Sequence, residues 1–150
     1  MKVFVKKMDN AVPDLHYAHA GDSGVDLFAN ENVVLQPGEI KLIGTGLKIA
    51  VERGYEAQVR PKSGLAASHG ITVLNTPGTV DSSYRGEVKV IAINHGSREY
   101  TIEKGKKMAQ MVFAKVEEPD IVIVEELEET TRNEGGFGST GLGPERKVGK

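Results

Sequence analysis

The chain has 150 residues, 27% of them charged and 39% hydrophobic, and a formal net charge of −2 at pH 7. This length suits one domain with its own core, and the charge argues against a general nucleic-acid binder and favours a small anionic ligand held by local cations. The absence of cysteine excludes disulfide scaffolds, thiol nucleophiles and cysteine-based metal sites. Because no signal-peptide core or membrane-length apolar run is found, we expect a cytoplasmic protein with no membrane partner.

The first residues alternate in the way that strands do. Residues 2–7 predict a short first strand, and the sequence Val25, Asp26, Leu27 predicts another. Asp26 lies between two neighbours that should face a core. It is therefore either a solvent-facing strand residue or a carboxylate at a strand mouth that attracts a cation.

Residues 33–60 have the pattern of an all-β protein. Breakers at 37–38, 44–46 and 53–54 divide this stretch into runs of about five to seven residues, a typical strand length. No apolar pattern of helical period lasts three turns in the first hundred residues. One short helix after Lys62 is the only helical candidate there.

The start of that helix offers a phosphate site. Ser63 precedes Gly64, so its hydroxyl and the N–H groups of the first turn could receive phosphate oxygens, while Arg60 and Lys62 add positive charge. The alternative is that Ser63 only caps the helix.

Residues 74–94 place a carboxylate, a tyrosine and an arginine between two apolar runs. A breaker cluster at 76–79 precedes a polar crest at 81–86, and the alternation over 88–92 is typical of a strand. This pattern predicts a hairpin with Asp81 at its tip. The alternative is a plain surface turn in which Asp81 caps its own backbone.

Two further segments precede the C-terminal region. Residues 100–113 turn at Lys104–Gly105 and supply core side chains, with Lys107 and Gln110 as polar members. Residues 116–129 contain a β-branched run with acids on both sides, which predicts a final strand.

The last twenty residues are rich in glycine and cannot bury enough surface to fold alone. We therefore expect residues 1–130 to form the β domain and residues 131–150 to form a mobile tail. The tail offers consecutive backbone N–H groups and hydroxyls that could wrap a phosphate chain while Phe137 stacks on a flat base. A flexible linker is the alternative.

Five segments carry most of these residues: AGDSGVDLFA (20–29), RPKSGLAASHGI (60–71), LNTPGTVDSSYRGEV (74–88), GKKMAQMVF (105–113) and RNEGGFGSTG (132–141). In this order they resemble the motifs of the trimeric deoxyuridine triphosphatases, the dUTP diphosphatases. The resemblance implies an all-β, jelly-roll-like barrel assembled as a homotrimer, in which each tail closes over a neighbouring subunit's site. It also implies Mg²⁺-dependent hydrolysis of dUTP to dUMP and diphosphate, which limits uracil incorporation into DNA and supplies dUMP for thymidylate synthesis.

The resemblance assigns roles to individual positions. Asp81 matches the aspartate that activates a water for in-line attack on the α-phosphorus, and such general-base help is worth roughly 10²–10⁴ in rate. Asp26 matches the aspartate that holds Mg²⁺ through water, the ion being held mainly by the triphosphate. The implied substrate-binding residues are Lys62, Ser63, Gly64, Asn75, Thr79, Val80, Tyr84, Lys107, Gln110, Arg132, Phe137, Gly138, Ser139 and Thr140.

Specificity is implied to come from the hairpin and the tail. The hairpin backbone and Asn75 read the uracil edge, so cytosine would leave buried polar atoms unpaired. Tyr84 packs under the sugar where a 2′-hydroxyl would clash, and Phe137 covers the uracil. Arg85 is expected to be a structural or subunit-junction residue rather than a direct catalyst. The terminal phosphates are implied to be clamped by Arg132, Ser139 and Thr140.

The sequence departs from the commonest family pattern at four positions. Lys62 and Lys107 stand where arginine is more usual, which keeps the charge but loses the bidentate fork. Asn133 replaces a usual glycine and Ser68 a frequent lysine, which leaves the closing geometry of the tail open.

Two other functions are compatible with parts of the pattern. One is a dCTP deaminase or its bifunctional relative, which attacks C4 of the base with a glutamate; the nearest glutamate to the hairpin tip is Glu87. The other is a non-catalytic trimeric nucleotide-binding module, against which the presence of Asp26, Asp81 and the whole tail motif argues.

Overall fold

Antiparallel strands dominate the computed structural model of this chain, which describes residues 1–139 and 143. The chain divides into two units, Met1–Glu118 and Pro119–Lys150. Within the described residues, the helix is α1 (Ser63–His69), and the strands are β1 (Val3–Lys7), β2 (Gly24–Phe28), β3 (Val33–Leu35), β4 (Ile40–Val51), β5 (Tyr55–Arg60), β6 (Ile71–Val73), β7 (Gly78–Val80), β8 (Glu87–Asn94), β9 (Tyr100–Ile102) and β10 (Lys107–Lys115).

The strands of the first unit form two four-stranded sheets and one small sheet. The orders are β1-β4-β8-β6, β2-β10-β5-β7 and β3-β9, and every pairing is antiparallel. Side chains from both large sheets join one core, whose largest fully buried members are Leu27, Leu35, Ile43, Leu47, Ile71 and Met111. The predicted all-β, jelly-roll-like fold with one short helix after Lys62 is confirmed.

The two-residue period of the sequence decides which side chains reach the core. In β8, Val88, Val90 and Ala92 are buried and Lys89 is exposed, as the alternation predicts. The same rule buries the two neighbours of Asp26 in β2 and turns its carboxylate toward the outer face of the sheet.

The predicted break at residues 44–46 is wrong, because β4 runs through it. The pairing of β4 with β8 shifts register between Gly44 and Lys48, so the glycines mark a bulge rather than an end. Gly46 has φ +69, and a Cβ there would lie 2.6 Å from the side chain of Val12. Only glycine therefore fits this position without rearrangement.

The predicted hairpin is also wrong. β7 pairs with β5 in one sheet, whereas β8 pairs with β4 and β6 in the other. Residues 81–86 therefore cross between the two large sheets instead of joining paired strands. The local pattern of strand, turn and strand is real, but its two strands take different partners.

Residues 116–129 contain no strand, so the predicted final strand is wrong. β10 ends at Lys115, and the β-branched run finds no paired neighbour: Ile121 and Ile123 are 90% and 95% exposed. A strand forms only where its backbone groups are paired, which the run alone does not supply. The predicted boundary between a β domain of residues 1–130 and a mobile tail of residues 131–150 stays a prediction. Within the described residues, no helix is long and apolar enough to cross a membrane.

Candidate active site

Strand β10 aligns polar side chains across three strands. Gln110 pairs with Asp26 of β2 on one side and with Arg60 of β5 on the other. Because directly paired residues of antiparallel strands share a face, these three residues form a row on the outer face of the sheet. The adjacent Met111 points the other way and is fully buried.

Two lysines hold the carboxylate of Asp26. Lys107 Nζ lies 2.6 Å from Oδ2, and Lys62 Nζ donates to Oδ1. The Asp26 side chain is only 16% exposed. Burial acts to raise the pKa of Asp26, but hydrogen bonds from Lys107 and Lys62 outweigh it, so this pKa lies below its ordinary value. The carboxylate is therefore ionised at neutral pH, in a cluster with one net positive charge.

Gln110 connects this cluster to the start of the helix. Its Nε2 donates to the carbonyl of Pro61 at 3.0 Å. On the neighbouring strand, a Cβ at Gly24 would lie 2.7 Å from Gln110 Oε1. Gly24 thus leaves the space that the glutamine amide occupies, a role that the sequence analysis did not identify.

Ser63 does not cap the helix. Lys62 is the N-cap residue with an extended backbone, and no side chain bonds to the helix start. Ser63 is itself the first helical residue, whereas a capping side chain comes from the residue before it. Both Ser63 and Gly64 are exposed, and open space surrounds the position of a Cβ at Gly64.

The crossover at residues 81–86 presents Asp81 to solvent. No hydrogen bond or ion pair of its carboxylate is found within residues 1–139, so the alternative of a self-capping aspartate is not observed. The loop is held by its own backbone, with Tyr84 N–H donating to the Asp81 carbonyl at 3.0 Å. Arg85 Nη1 donates to the carbonyls of Ser82 and Tyr84 at 2.6 and 2.7 Å, which is a structural role.

The ring of Tyr84 lies over Gly86. Its hydroxyl donates to the carbonyl of Glu87 at 2.9 Å. A Cβ at Gly86 would lie 2.5 Å from Cζ of the ring and closer still to the hydroxyl oxygen. Gly86 therefore determines where Tyr84 can lie, and only its proximity in sequence to Tyr84 could have signalled this.

Three predicted substrate contacts, Asn75, Thr79 and Val80, lie shortly before the crossover in sequence. Asn75 is exposed, and its Nδ2 would lie 3.1 Å from a Cβ at Gly78, so amide and glycine are in close contact. In β7, Thr79 is exposed and pairs with Gln58, while Val80 is buried. The backbone of Val80, not its side chain, is what this position offers a ligand.

One chain does not bring the two groups of site residues together. In the order β2-β10-β5-β7, the strand that carries Asp26 and the strand that leads into Asp81 are at opposite edges. Three strand spacings of about 4.8 Å separate these edges, or roughly 14 Å. The sheet thus presents a lysine–carboxylate cluster at one edge and the Asp81 loop at the other.

The described part of the tail forms turns of its own. Arg132 Nε donates to the carbonyl of Gly135 at 2.6 Å, and Ser139 N–H donates to the carbonyl of Gly136 at 3.0 Å. Asn133 has φ +40, a left-handed conformation that asparagine tolerates better than most residues, so it can replace glycine here.

Phe137 also has a left-handed backbone, with φ +49, and its side chain is fully exposed. An aromatic ring held in this way is available to stack on a ligand. Gly138 follows with φ +95. Thr140, the last predicted phosphate contact, lies outside the described residues.

The described residues contain no cluster of three or more histidine, aspartate or glutamate side chains that could hold a metal ion. Asp26 is a single carboxylate with a lysine on each oxygen. This donor set fits an ion that keeps its own waters and takes its other ligands from a phosphate chain, which is how Mg²⁺ is usually bound.

Comparison with known proteins identifies the family. A family model described as dUTPase matches residues 10–141. The deoxyuridine 5'-triphosphate nucleotidohydrolase of Thermoanaerobacter sp. is 54% identical over 142 residues, which cover 92% of this chain and 96% of the relative. The protein of the same name from Nautilia profundicola is 52% identical over 141 residues, covering 94% and 99% of the two chains.

A solved structure agrees with these relatives. The dUTPase of Staphylococcus bacteriophage 80alpha with dUpNHpp is 26% identical and superposes with a TM-score of 0.86, covering 94% of this chain and 99% of the phage chain. The match in sequence and the match in fold thus extend over the same large share of the molecule. This chain belongs to the dUTPase family.

Proposed function

We propose that this protein hydrolyses dUTP to dUMP and diphosphate. The observation that carries the proposal is the similarity to named deoxyuridine 5'-triphosphate nucleotidohydrolases at 52–54% identity over more than nine tenths of the chain. The phage enzyme of similar fold binds dUpNHpp, a nucleotide of the same class.

Asp81 is proposed as the general base. Its carboxylate is exposed and carries no hydrogen bond within residues 1–139, so it is available to orient a water and accept its proton. Water is a poor nucleophile at neutral pH, and a positioned carboxylate raises the rate by about 10²–10⁴. The attack is in line on the α-phosphorus, with diphosphate as the leaving group.

The phosphate chain is proposed to bind at the lysine–carboxylate cluster and the helix start. Lys62 and Lys107 supply the positive charge, and Gln110 fixes the backbone between β5 and α1 through its bond to Pro61. The exposed Ser63 and Gly64 complete this surface. From the tail, the proposed contacts to the terminal phosphates are Arg132, Ser139 and Thr140.

Asp26 would hold a Mg²⁺ through its water shell, with the triphosphate as the ion's main ligand. When bound, Mg²⁺ would neutralise phosphate charge that otherwise repels the approaching nucleophile. The lone, largely buried carboxylate of Asp26 supports this role, because an all-protein Mg²⁺ cage would require further oxygen ligands.

The base and sugar are proposed to be read next to the crossover. Asn75 and the backbone of Thr79 and Val80 offer a fixed order of donors and acceptors for uracil, which cytosine cannot match. Tyr84 excludes a ribose 2′-hydroxyl by its position over Gly86. Phe137 and Gly138 of the tail cover the base.

A homotrimer is proposed as the active assembly. The Asp26 cluster and the Asp81 loop are at opposite edges of one sheet, which supports a site completed by edges from different copies. The β-branched run at residues 121–124 also favours association, because its apolar side chains are exposed. Light scattering of the purified protein should give three times the mass of the chain, and a monomer with full activity would contradict this arrangement.

The test of function is diphosphate release from dUTP, UTP, dCTP and dTTP in the presence of Mg²⁺. We expect release from dUTP alone, and Asp81→Asn should lower turnover by about 10²–10⁴ while it still binds dUpNHpp. Asp14→Asn removes the same charge from an exposed ion pair with Lys7 and serves as a matched control that should leave turnover unchanged.

Other outcomes would overturn the proposal. Ammonia release from dCTP would identify a deaminase, and tight dUpNHpp binding without hydrolysis of any nucleotide would identify a non-catalytic module. Wild-type turnover in Asp81→Asn would exclude Asp81 as the base even if dUTP is the substrate.

A further inference from the structure

We infer that Asp26 is an internal competitor of the phosphate chain, so that this protein binds a bare triphosphate weakly and a Mg²⁺-carrying triphosphate well. The inference rests on the proposed function and deepens it, because it gives Asp26 a role in choosing which form of the nucleotide enters the site.

Both lysines that are proposed to bind the phosphate chain contact the carboxylate of Asp26. Its two carboxylate oxygens each take one ammonium group, from Lys62 and from Lys107, and the side chain is largely buried. Gln110, the nearest paired residue, turns its amide to Pro61. The two lysines therefore already have an anionic partner before any ligand arrives.

A bare triphosphate must displace that partner. As each lysine turns from Asp26 to a phosphate oxygen, the carboxylate loses its counter-ions and is left beside further negative charge. Both effects oppose binding, and they are weakly screened because Asp26 is mostly removed from solvent.

When the triphosphate carries Mg²⁺, Asp26 favours its binding instead of opposing it. The released carboxylate then faces a hydrated cation instead of bare phosphate, and it can accept hydrogen bonds from the metal's waters. Asp26 thus costs affinity for one form of the ligand and adds affinity for the other.

Lysine at positions 62 and 107 suits such an exchange of partners. An ammonium group is a compact charge on a flexible stem, and it can turn from one oxygen to another. The planar fork of arginine would bind a carboxylate through two parallel bonds and release it less readily. Both residues whose charged groups contact Asp26 are lysines.

The experiment is calorimetric titration with dUpNHpp, in EDTA and in Mg²⁺, of the wild type, Asp26→Asn and Glu118→Gln. In EDTA, Asp26→Asn should bind about tenfold more tightly than the wild type, and in Mg²⁺ about tenfold more weakly. Glu118→Gln removes the same charge from an exposed ion pair with Arg53. Glu118 follows the C-terminal end of β10, whereas Lys107 begins this strand, so the variant should match the wild type in both buffers.

The inference would be overturned if, in EDTA, Asp26→Asn bound dUpNHpp no more tightly than the wild type or did not bind it at all. Asp26→Ser, also neutral and small, is the second variant, and far-UV circular dichroism confirms that each variant is folded. Inorganic tripolyphosphate as a second probe separates the two proposals. If dUTP is not hydrolysed but tripolyphosphate shows the gain in EDTA, the proposed function fails and the inference stands.

Discussion

Gly86→Ala tests whether the position of one ring determines the choice of sugar. The new Cβ would lie 2.5 Å from Cζ of Tyr84, and non-bonded carbon atoms approach best at about 3.5–4.0 Å, so the ring must withdraw by roughly 1 Å or more. The ring is partly exposed and has room to move. It would lose its hydrogen bond to the carbonyl of Glu87, at a cost of about 0.5–1.5 kcal/mol in the free energy of unfolding.

The larger effect should fall on specificity. If the ring excludes the 2′-hydroxyl by its position, its displacement should raise the ratio of kcat/KM for UTP to kcat/KM for dUTP by about tenfold or more, the scale of small steric differences in binding pockets. Steady-state kinetics with both nucleotides measures this ratio, and urea unfolding measures the stability.

Two further variants separate the ring from its hydrogen bond. Tyr84→Phe removes only the hydroxyl and should keep the selectivity of the wild type. In a Tyr84→Ala background, Gly86→Ala should change the selectivity by no more than about twofold, because the residue through which it acts is gone. An equal effect of Gly86→Ala in both backgrounds would show that Gly86 does not act through Tyr84.

Two predictions concern stability. The pKa of Asp26 in the folded protein is below its ordinary value of 3.8, so the stability that this carboxylate contributes is present above about pH 4 and is lost as the pH falls through the lowered pKa. The difference in the free energy of unfolding between wild type and Asp26→Asn should therefore narrow from pH 7 to pH 3 in urea titrations; a widening difference would contradict it. Leu27→Ala should lower the free energy of unfolding by about 2–5 kcal/mol because Leu27 is fully buried, whereas Leu42→Ala, at a side chain 59% exposed, should cost less than about 1 kcal/mol. Similar losses for both would show that burial does not determine the cost.

Local sequence rules predicted what depends on neighbours in the chain. The alternation in β8 follows from a two-residue period, and the helix after Lys62 stops where Gly70 adopts φ +71 and donates its N–H to the carbonyl of Ala66. The two faces of β2, and hence the outward direction of Asp26, could be predicted in the same way.

Those local rules could not predict which strands pair. A turn at residues 81–86 has the composition of a hairpin, yet its flanking strands join different sheets, because pairing is decided by the distant strands β4 and β5. The run at residues 121–124 has every local feature of a strand and none of the required partners in the described chain. The two glycines at 44 and 46 indicate equally a break or a bulge, and only the continuation of β4 on both sides of the register shift decides between them.

The sequence offers candidate site residues, but the contacts between them could not be predicted. Lys62 and Asp26 are 36 residues apart in sequence and bonded in the fold, so the lowered pKa of Asp26 depends on a neighbour that no local pattern reveals. Gly86 and Gly24 have no side chain and so leave room for Tyr84 and Gln110. The sequence alone does not show which side chains occupy that room.

Strand β10 lies between β2 and β5 and is bonded along both edges. Amide protons of such a central strand exchange with solvent only through large openings of the sheet, whereas a crossover such as residues 81–86, with few backbone bonds, exchanges through small local ones. Lys107 of the lysine–carboxylate cluster therefore lies on a strand that we expect to exchange slowly, whereas Asp81 lies in a loop that we expect to exchange fast. In the proposed function, this central strand would stay formed next to the phosphate site while the loop that carries the proposed general base opens and closes.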